Sequence, residues 1–361
     1  MPVYKDERYN TWFSAFYYKN WQGKNVKKMK RGFKTKKEAQ EWERVFLQQQ
    51  TKDLDMSFSA FYELYKNDMK SRLKLNTWLT KENIIENKIL PYFKDKKMNE
   101  IKPTDVIAWQ NTMIQATNSK GNHHSNTYKK TLHNQLSAVF NHAVKFYDLK
   151  NNPAAKVGNF GSEKTKEIDF WTQEEYEVFI DAMRDKPLSY YAFSVMYWTG
   201  VRTGELLALT PSDFDFEKGT LSINKSYQRL QGKDVITEPK TPKSNRIIKI
   251  TDTLCKEVQE YIRHQYKMKP KDRLFPTNKS YLTNEMRRGC KETGVKKITL
   301  HSIRHSHCSL LINLGFSAVA IADRLGHESI DITYRYAHLF PSKQTEMVDR
   351  LEELQNVNKK S

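Results

Sequence analysis

Thr199-Gly200-Val201-Arg202-Thr203-Gly204-Glu205 is the stretch on which the reading of this chain turns. It joins an apolar helical run, Leu188 to Trp198, to Leu206-Leu207-Ala208-Leu209 through two glycines. Glycine tolerates unusual φ and lets backbones approach closely, so Arg202 would be held in a tight turn. The same run also fits an arginine that simply pairs with Glu205 across that turn. About a hundred residues on, His301-Ser302-Ile303-Arg304 puts a histidine and an arginine three apart, on one face of a helix. Histidine can shuttle a proton near neutral pH, and a guanidinium can grip a phosphate with two donors. Two fixed residues at that spacing recur by chance about once in a chain of this size. Leu325-Gly326-His327 follows, and nine residues after His327 comes Tyr336, on a short polar stretch that gives little reason for a packed aromatic.

Outward from this core, the segment 161–361 reads as mixed but mostly helical. Thr172-Gln173-Glu174-Glu175 is a capping box, and Thr220–Asn224 and Arg246–Ile250 read as short strands around a polar hairpin region. Gly158–Asp169, rich in Gly, Ser and charge, reads as a linker. Residues 56–160 read as a helical bundle. One helix carries Phe58, Phe61, Tyr62, Tyr65 and Met69; another runs from Trp78 to Tyr92 and ends near Pro91. Lys102-Pro103-Thr104-Asp105 opens a third, and Ser125–Leu149 is the longest, stopped by Asn151-Asn152-Pro153. In residues 1–55, Trp12, Ser14, Phe16 and Tyr18 share one face of a strand and Phe13, Ala15 and Tyr17 the other. Asn25–Phe33 is a second, basic strand, and Thr35-Lys36-Lys37-Glu38 opens a helix with Ala39, Trp42 and Phe46 in register. Lys24, Lys27, Lys28, Lys30 and Arg31 suit a groove or phosphate surface, and equally suit an edge strand kept soluble by lysine. The fold expected is mainly α with small β elements: residues 1–55 a small sheet backed by a helix, 56–160 helical, 161–361 mixed.

The chain has 361 residues, and 61 Lys and Arg against 42 Asp and Glu leave a formal charge of +19. The excess divides as +6 over residues 1–55, +8 over 56–160 and only +5 over the remainder. That distribution favours a polyanion held by the first two segments. No run of 18 apolar residues suggests a membrane span, and the first thirty residues carry no apolar signal segment. Three widely spaced cysteines, Cys255, Cys290 and Cys308, argue against a disulfide framework. A cytoplasmic protein is expected, with no membrane partner. His301 and His305 at i, i+4, with His307 and Cys308 nearby, raise the question of zinc. Position 302 is Ser where an H-E-x-x-H helix needs its Glu, so neither metal nor cofactor is expected.

Taken together, the order and spacing of these pieces resemble the tyrosine recombinase (phage integrase) family over the whole of 161–361. The resemblance implies that 56–160 is a core-site-binding domain and that 1–55, completed as a three-stranded sheet plus helix, is an arm-site-binding domain. That combination is similar to integrases of phages and integrative conjugative elements. It implies Arg202 and Arg304 as the catalytic arginines, with His301 between them, His327 as the fifth position and Tyr336 as nucleophile. Tyr334, seven residues from His327, is the other candidate, and only one of the two can face a given site from a helix. The family's hairpin-turn lysine corresponds to Lys240 in the K-T-x-x-S-x-R pattern of Pro239–Arg246, with Lys243 as the fallback. The implied partners are double-stranded DNA at core and arm sites, a homotetramer on that DNA, an excisionase and a DNA-bending host protein. A C-terminal helix over Ser342–Val357, with Met347, Leu351 and Leu354, would regulate a neighbouring protomer or pack on its own domain. A type IB topoisomerase-like enzyme and a catalytically silent DNA-binding regulator are the other readings of the same scaffold.

Overall fold

The structure, a computed structural model, describes residues 3–19, 25–50, 54–162, 169–239, 242–329 and Val348. Lys24, Lys240, Tyr334, Tyr336 and, apart from Val348, the tail segment 342–357 lie outside the described residues. The fold is mainly helical with small sheets, and the chain divides into two compact units, 1–166 and 167–361.

The first unit opens with an antiparallel sheet of β1 (Val3–Asp6), β2 (Thr11–Lys19) and β3 (Asn25–Phe33), in that order, backed by α1 (Lys36–Gln50). The alternation of β2 sorts as its pleat requires: Ser14 and Phe16 are buried toward α1, whereas Tyr17 is exposed on the other face. Phe16 packs on Trp42 and Phe46, and the Ser14 hydroxyl donates to the buried Glu43 carboxylate at 2.9 Å. The capping box is displaced by one residue. Thr35 Oγ1 accepts from the Glu38 N–H, but the Glu38 carboxylate reaches back to the N–H of Lys34.

The helices α2 (Phe58–Lys70), α3 (Leu75–Ile84), α4 (Leu90–Phe93), α5 (Pro103–Gln115), α6 (Asn126–Phe146) and α7 (Pro153–Val157) enclose one aromatic core. Helix α3 passes into α4 through a π-turn, Ile85–Ile89, which widens the backbone one turn ahead of Pro91. Proline clashes with the carbonyl four residues back in a regular helix, so this widening lets the helix continue through Pro91 to Phe93. Ser125 caps α6 as its position in the sequence suggests. The start of the linker is packed on the bundle: Phe160 lies against Trp109, and Gln110 donates to the Gly158 carbonyl.

In the second unit, α8 (Gln173–Asp181) begins at the Thr172/Glu175 capping box and packs near α9 (Pro187–Thr199). Ala192, Phe193, Val195, Met196 and Tyr197 of α9 are all buried, which makes it the central helix. The short α10 (Thr203–Leu206) follows. Strands β4 (Phe214–Asp215), β5 (Thr220–Ile223) and β8 (Arg246–Lys249) form one sheet, and β6 (Ser226–Leu230) and β7 (Lys233–Thr237) a separate hairpin between β5 and β8. Helices α11 (Asp252–Arg263), α12 (Lys279–Thr293), α13 (Ser302–Asn313) and α14 (Ala318–Leu325) complete the unit.

Phe93 sits at the centre of the first unit's core, fully buried against Phe58 and Trp109. Phe93→Ala removes those contacts and leaves a cavity, with an expected loss of about 3–5 kcal/mol in urea unfolding. A midpoint within error of the wild type would show that the bundle does not depend on this contact.

Candidate active site

The turn that carries Arg202 is built by glycine. Gly200 ends α9 in the left-handed conformation (φ 65), where a Cβ would lie 2.6 Å from both the His307 ring and the Leu325 side chain. Gly204 is equally confined, since its Cβ would meet Ser226 Oγ at 2.5 Å. Arg202 occupies the N-cap of α10, and its N–H donates to the Glu205 carboxylate at 2.9 Å. Its guanidinium donates to Glu205 Oε1 at 2.8 Å, to Ser244 Oγ at 3.4 Å and to the Gly326 carbonyl at 3.2 Å. The pairing with Glu205 and the confined turn are therefore both present. The Arg202 side chain remains about 35% exposed, the open edge of an otherwise buried group.

Arg304 comes from the first turn of α13 and is buried. It donates to the Gly200 carbonyl at 2.7 Å and to the Leu325 carbonyl at 2.6 Å. His301 immediately precedes α13, more exposed than Arg304, with its ring edge-to-face against His305 at 4.9 Å. Partial enclosure, and then the charges of Arg304 and Arg202, hold its pKa below the usual value. His327 follows the left-handed Gly326 that ends α14, and its N–H donates to the Ala322 carbonyl. Its imidazole is buried, and burial together with Arg304, Arg202 and Arg246 pushes its pKa down to about 3. Four of the six expected catalytic side chains thus share one electrostatic neighbourhood, with arginines supplying the charge and neutral histidines beside them.

The lysine run does not lie in the turn of the described hairpin. The hairpin turn is at Gln231 and Gly232, whose left-handed φ of 50 and 78 suit a tight two-residue turn. The K-T-x-x-S-x-R run instead follows β7 and leads into β8, where Pro239 and Pro242 have no N–H to pair a strand. Of its two lysines only Lys243 is described; it is exposed and donates to the Glu328 carbonyl at 3.2 Å.

Sequence reasoning left Ser244, Arg246 and Arg324 without a role. The Arg246 side chain is largely covered and donates to Glu205 Oε1 and Oε2 at 3.3 and 3.0 Å, to the Ser244 carbonyl and to the Arg324 carbonyl. Burial alone would raise the Glu205 carboxyl; the hydrogen bond and charge of Arg246, then the charge of Arg202, outweigh it and hold the pKa below the usual range. Arg324 donates to His307 Nε2 and to the carbonyls of Lys249 and Trp198, fastening α14 to α13, β8 and α9. The only sequence signals for these residues were the Glu205 of the turn and the S-x-R end of the lysine pattern.

Residues 169–343 match the phage integrase family, residues 57–114 the N-terminal SAM-like domain of phage integrases, and residues 2–50 an arm DNA-binding domain. The ICEBs1 integrase of Bacillus subtilis is 32% identical over 342 residues, covering 89% of this chain and 90% of that protein. The chain belongs to the phage integrase family, the tyrosine recombinases. In fold it is similar to the Tn1549 transposon integrase solved with transposon right end DNA, with TM-score 0.66 and 21% identity over 83% of this chain and all of that one. A lambda integrase tetramer on a Holliday junction matches with TM-score 0.59 and 17% identity, over 95% of each chain.

The buried histidines give this recombinase a defined acid sensitivity. His327 is neutral in the folded chain down to about pH 3, whereas unfolded histidine takes up its proton near 6.5. Between those values the unfolded state binds the extra proton, so stability falls as pH drops below about 6.5. The lowered Glu205 carboxyl acts in the same direction further down, with stability lost as pH falls through the carboxylate range. Urea midpoints measured from pH 7 to pH 5 should decrease, and His327→Asn should make that slope shallower. An unchanged slope in the variant would contradict the neutral, buried imidazole.

Proposed function

We propose that this site-specific tyrosine recombinase cuts and rejoins double-stranded DNA through a 3′-phosphotyrosine on Tyr336, to integrate and excise a mobile element. The observation that carries the reading is the convergence of Arg202 and Arg304 on one helix end, with His301 and His327 held neutral beside them. Arg202 and Arg304 neutralise the charge that develops on the non-bridging phosphate oxygens, and a guanidinium keeps its proton at any working pH. The Tyr336 oxygen attacks phosphorus as the bond to the 5′-oxygen breaks, its proton passing to His301. Lys240, or Lys243 if that lysine is the one that reaches the site, protonates the departing 5′-oxygen. His327 donates a hydrogen bond to the transferring phosphate, as a neutral imidazole can. Reversal with the 5′-hydroxyl of another strand completes the exchange, and the energy of the broken bond is kept in the phosphotyrosine link.

The division of labour is arm-site binding by 1–55, core-site binding by 56–160 and catalysis by 161–361. Of the basic residues on β3, Lys27 and Arg31 fall on the sheet face opposite α1, with Tyr17, Met29 and Phe13; Arg31 lies 5.2 Å from the Phe13 ring. Lys28 and Lys30 lean the other way, over the rings of Phe46 and Trp42. DNA contact through the outer face therefore rests on Lys27 and Arg31, with Lys24 as a further candidate. Assembly as a tetramer on DNA is supported by the likeness in fold to a lambda integrase tetramer bound to a Holliday junction; an excisionase and a bending protein are further partners of the proposal. Among the described residues no helix is long and apolar enough to cross a membrane.

Tyr336→Phe should form no covalent protein–DNA adduct on a nicked suicide duplex, while Tyr334→Phe should still form it. An adduct with Tyr336→Phe assigns the nucleophile elsewhere. Deleting residues 1–55 should leave cleavage of the core site intact and abolish recombination that depends on distal arm sites. Normal recombination by the truncated chain would remove the arm-domain assignment.

A further inference from the structure

The site contains an electrostatic conflict. Arg202 is assigned to the phosphate, yet a buried carboxylate, Glu205, sits 2.8 Å from its guanidinium. Left alone, one carboxylate at that distance would cancel most of the charge the arginine offers, because little water is present to screen it. The Glu205 carboxylate is not left alone. Both of its oxygens accept from Arg246, at 3.3 and 3.0 Å.

We propose that Arg246 is a positioning residue that neutralises Glu205, so that Glu205 orients Arg202 without consuming its positive charge. Arg246 itself has little left to give a substrate. Its side chain is 7% exposed, and its Nε and Nη1 already donate to the Arg324 and Ser244 carbonyls. Gly326 is part of the same device, since a Cβ there would lie 2.9 Å from Arg246 Cδ and 2.7 Å from the Lys243 carbonyl. The carboxylate does two tasks at once. It receives the Arg202 N–H at the N-cap of α10, and it aims the Arg202 guanidinium. With Arg246 as counter-charge, the group of Arg202, Arg246 and Glu205 keeps a net charge of one unit, on the arginine that has an exposed edge.

The inference rests on the assignment of Arg202 to the phosphate, and the test separates the two. Single-turnover cleavage of a suicide duplex and duplex affinity are measured for Arg202→Ala, Arg246→Met, Arg246→Lys, Glu205→Gln and the Glu205→Gln/Arg246→Met pair, each checked by circular dichroism and thermal melting. Arg246→Met should slow cleavage by about 10²–10³-fold, the loss expected when one transition-state donor is cancelled, with affinity changed only a few-fold. Adding Glu205→Gln to Arg246→Met should restore cleavage by about ten-fold or more, because the uncompensated carboxylate is gone. Arg246→Lys should keep more activity than Arg246→Met, since it retains the charge without the fork. A purely structural arginine predicts the reverse: the double variant no faster than Arg246→Met, and Lys no better than Met. Either of those results, or full activity in Arg246→Met, overturns the proposal. Should Arg246→Met fail to fold, the ranking of Arg246→Lys against the wild type and the double variant decides in the same way. Full cleavage by Arg202→Ala would instead remove the phosphate assignment on which the inference stands.

Discussion

Three consecutive carbonyls at the end of α14 hold three arginines. Arg324 O accepts from Arg246, Leu325 O from Arg304 and Gly326 O from Arg202. The last carbonyls of a helix have no intrahelical partner, and the helix dipole makes that end negative. An α-helix C-terminus is thus a cradle for cations, and here it fixes guanidiniums that arrive from the N-cap of α10, from β8 and from α13. Like charges brought this close repel, and burying them costs solvation. The carbonyls and the single Glu205 carboxylate supply the offsetting interactions. The position of α14 therefore sets the geometry of the site. It is held by Ile321 and Leu325 in a small cluster with Cys308 and Ile312, and by the Arg324 hydrogen bonds to three other elements.

Burial and this concentration of fixed charge together determine what the histidines can be. Burial first, then the neighbouring arginines, depress His327, and the same combination lowers His301. A histidine in such a field is neutral at working pH, so it can accept or donate a proton without adding to the charge. In the proposed mechanism the permanent cations stabilise the phosphate, and the neutral imidazoles are left for proton traffic. His307 follows the same rule for a different purpose. Its burial, with Arg324 beside it, pushes its pKa to about 3, and only the neutral ring can accept the Arg324 hydrogen bond at Nε2.

What was legible in the sequence follows from the range of the interactions involved. Helix starts are local, so Ser125, Thr172 and the Lys102–Asp105 turn marked α6, α8 and α5 correctly. The four expected catalytic positions within the described residues, which the fold brings into one neighbourhood, were picked out by their order and spacing through a family resemblance. Arg246 was not, because what defines its role is Glu205, 41 residues away, and the Arg324 carbonyl, 78 residues away. Those separations carry no periodic signal. The path of helix α3 through Pro91 was also hidden, because the π-turn that admits the proline is a backbone adjustment rather than a residue type. The hairpin turn was expected on the lysine run for a related reason: two prolines flank Lys240 and Thr241, yet β6 and β7 reverse at Gln231-Gly232.

The arm module shows how one backbone irregularity can sort a run of like charges. Strand β3 is an edge strand, and every residue from Asn25 to Gly32 is exposed, so lysine along it serves solubility wherever it points. Pleating sends Lys28 and Lys30 toward α1, where they overlie aromatic rings, and Lys27, Met29 and Arg31 to the open face. Continued alternation would then send Phe33 outward as well. A register shift opposite Trp12–Ser14, with Gly32 at φ 88, instead inserts a bulge and returns Phe33 to Trp42. Arg31 stays on the open face beside Phe13 while the hydrophobic contact that anchors the strand to α1 is kept. The residue that makes both placements compatible is the glycine, which alone adopts that φ without strain. An open-face Arg31 and a packed Phe33 therefore depend on the same position, Gly32.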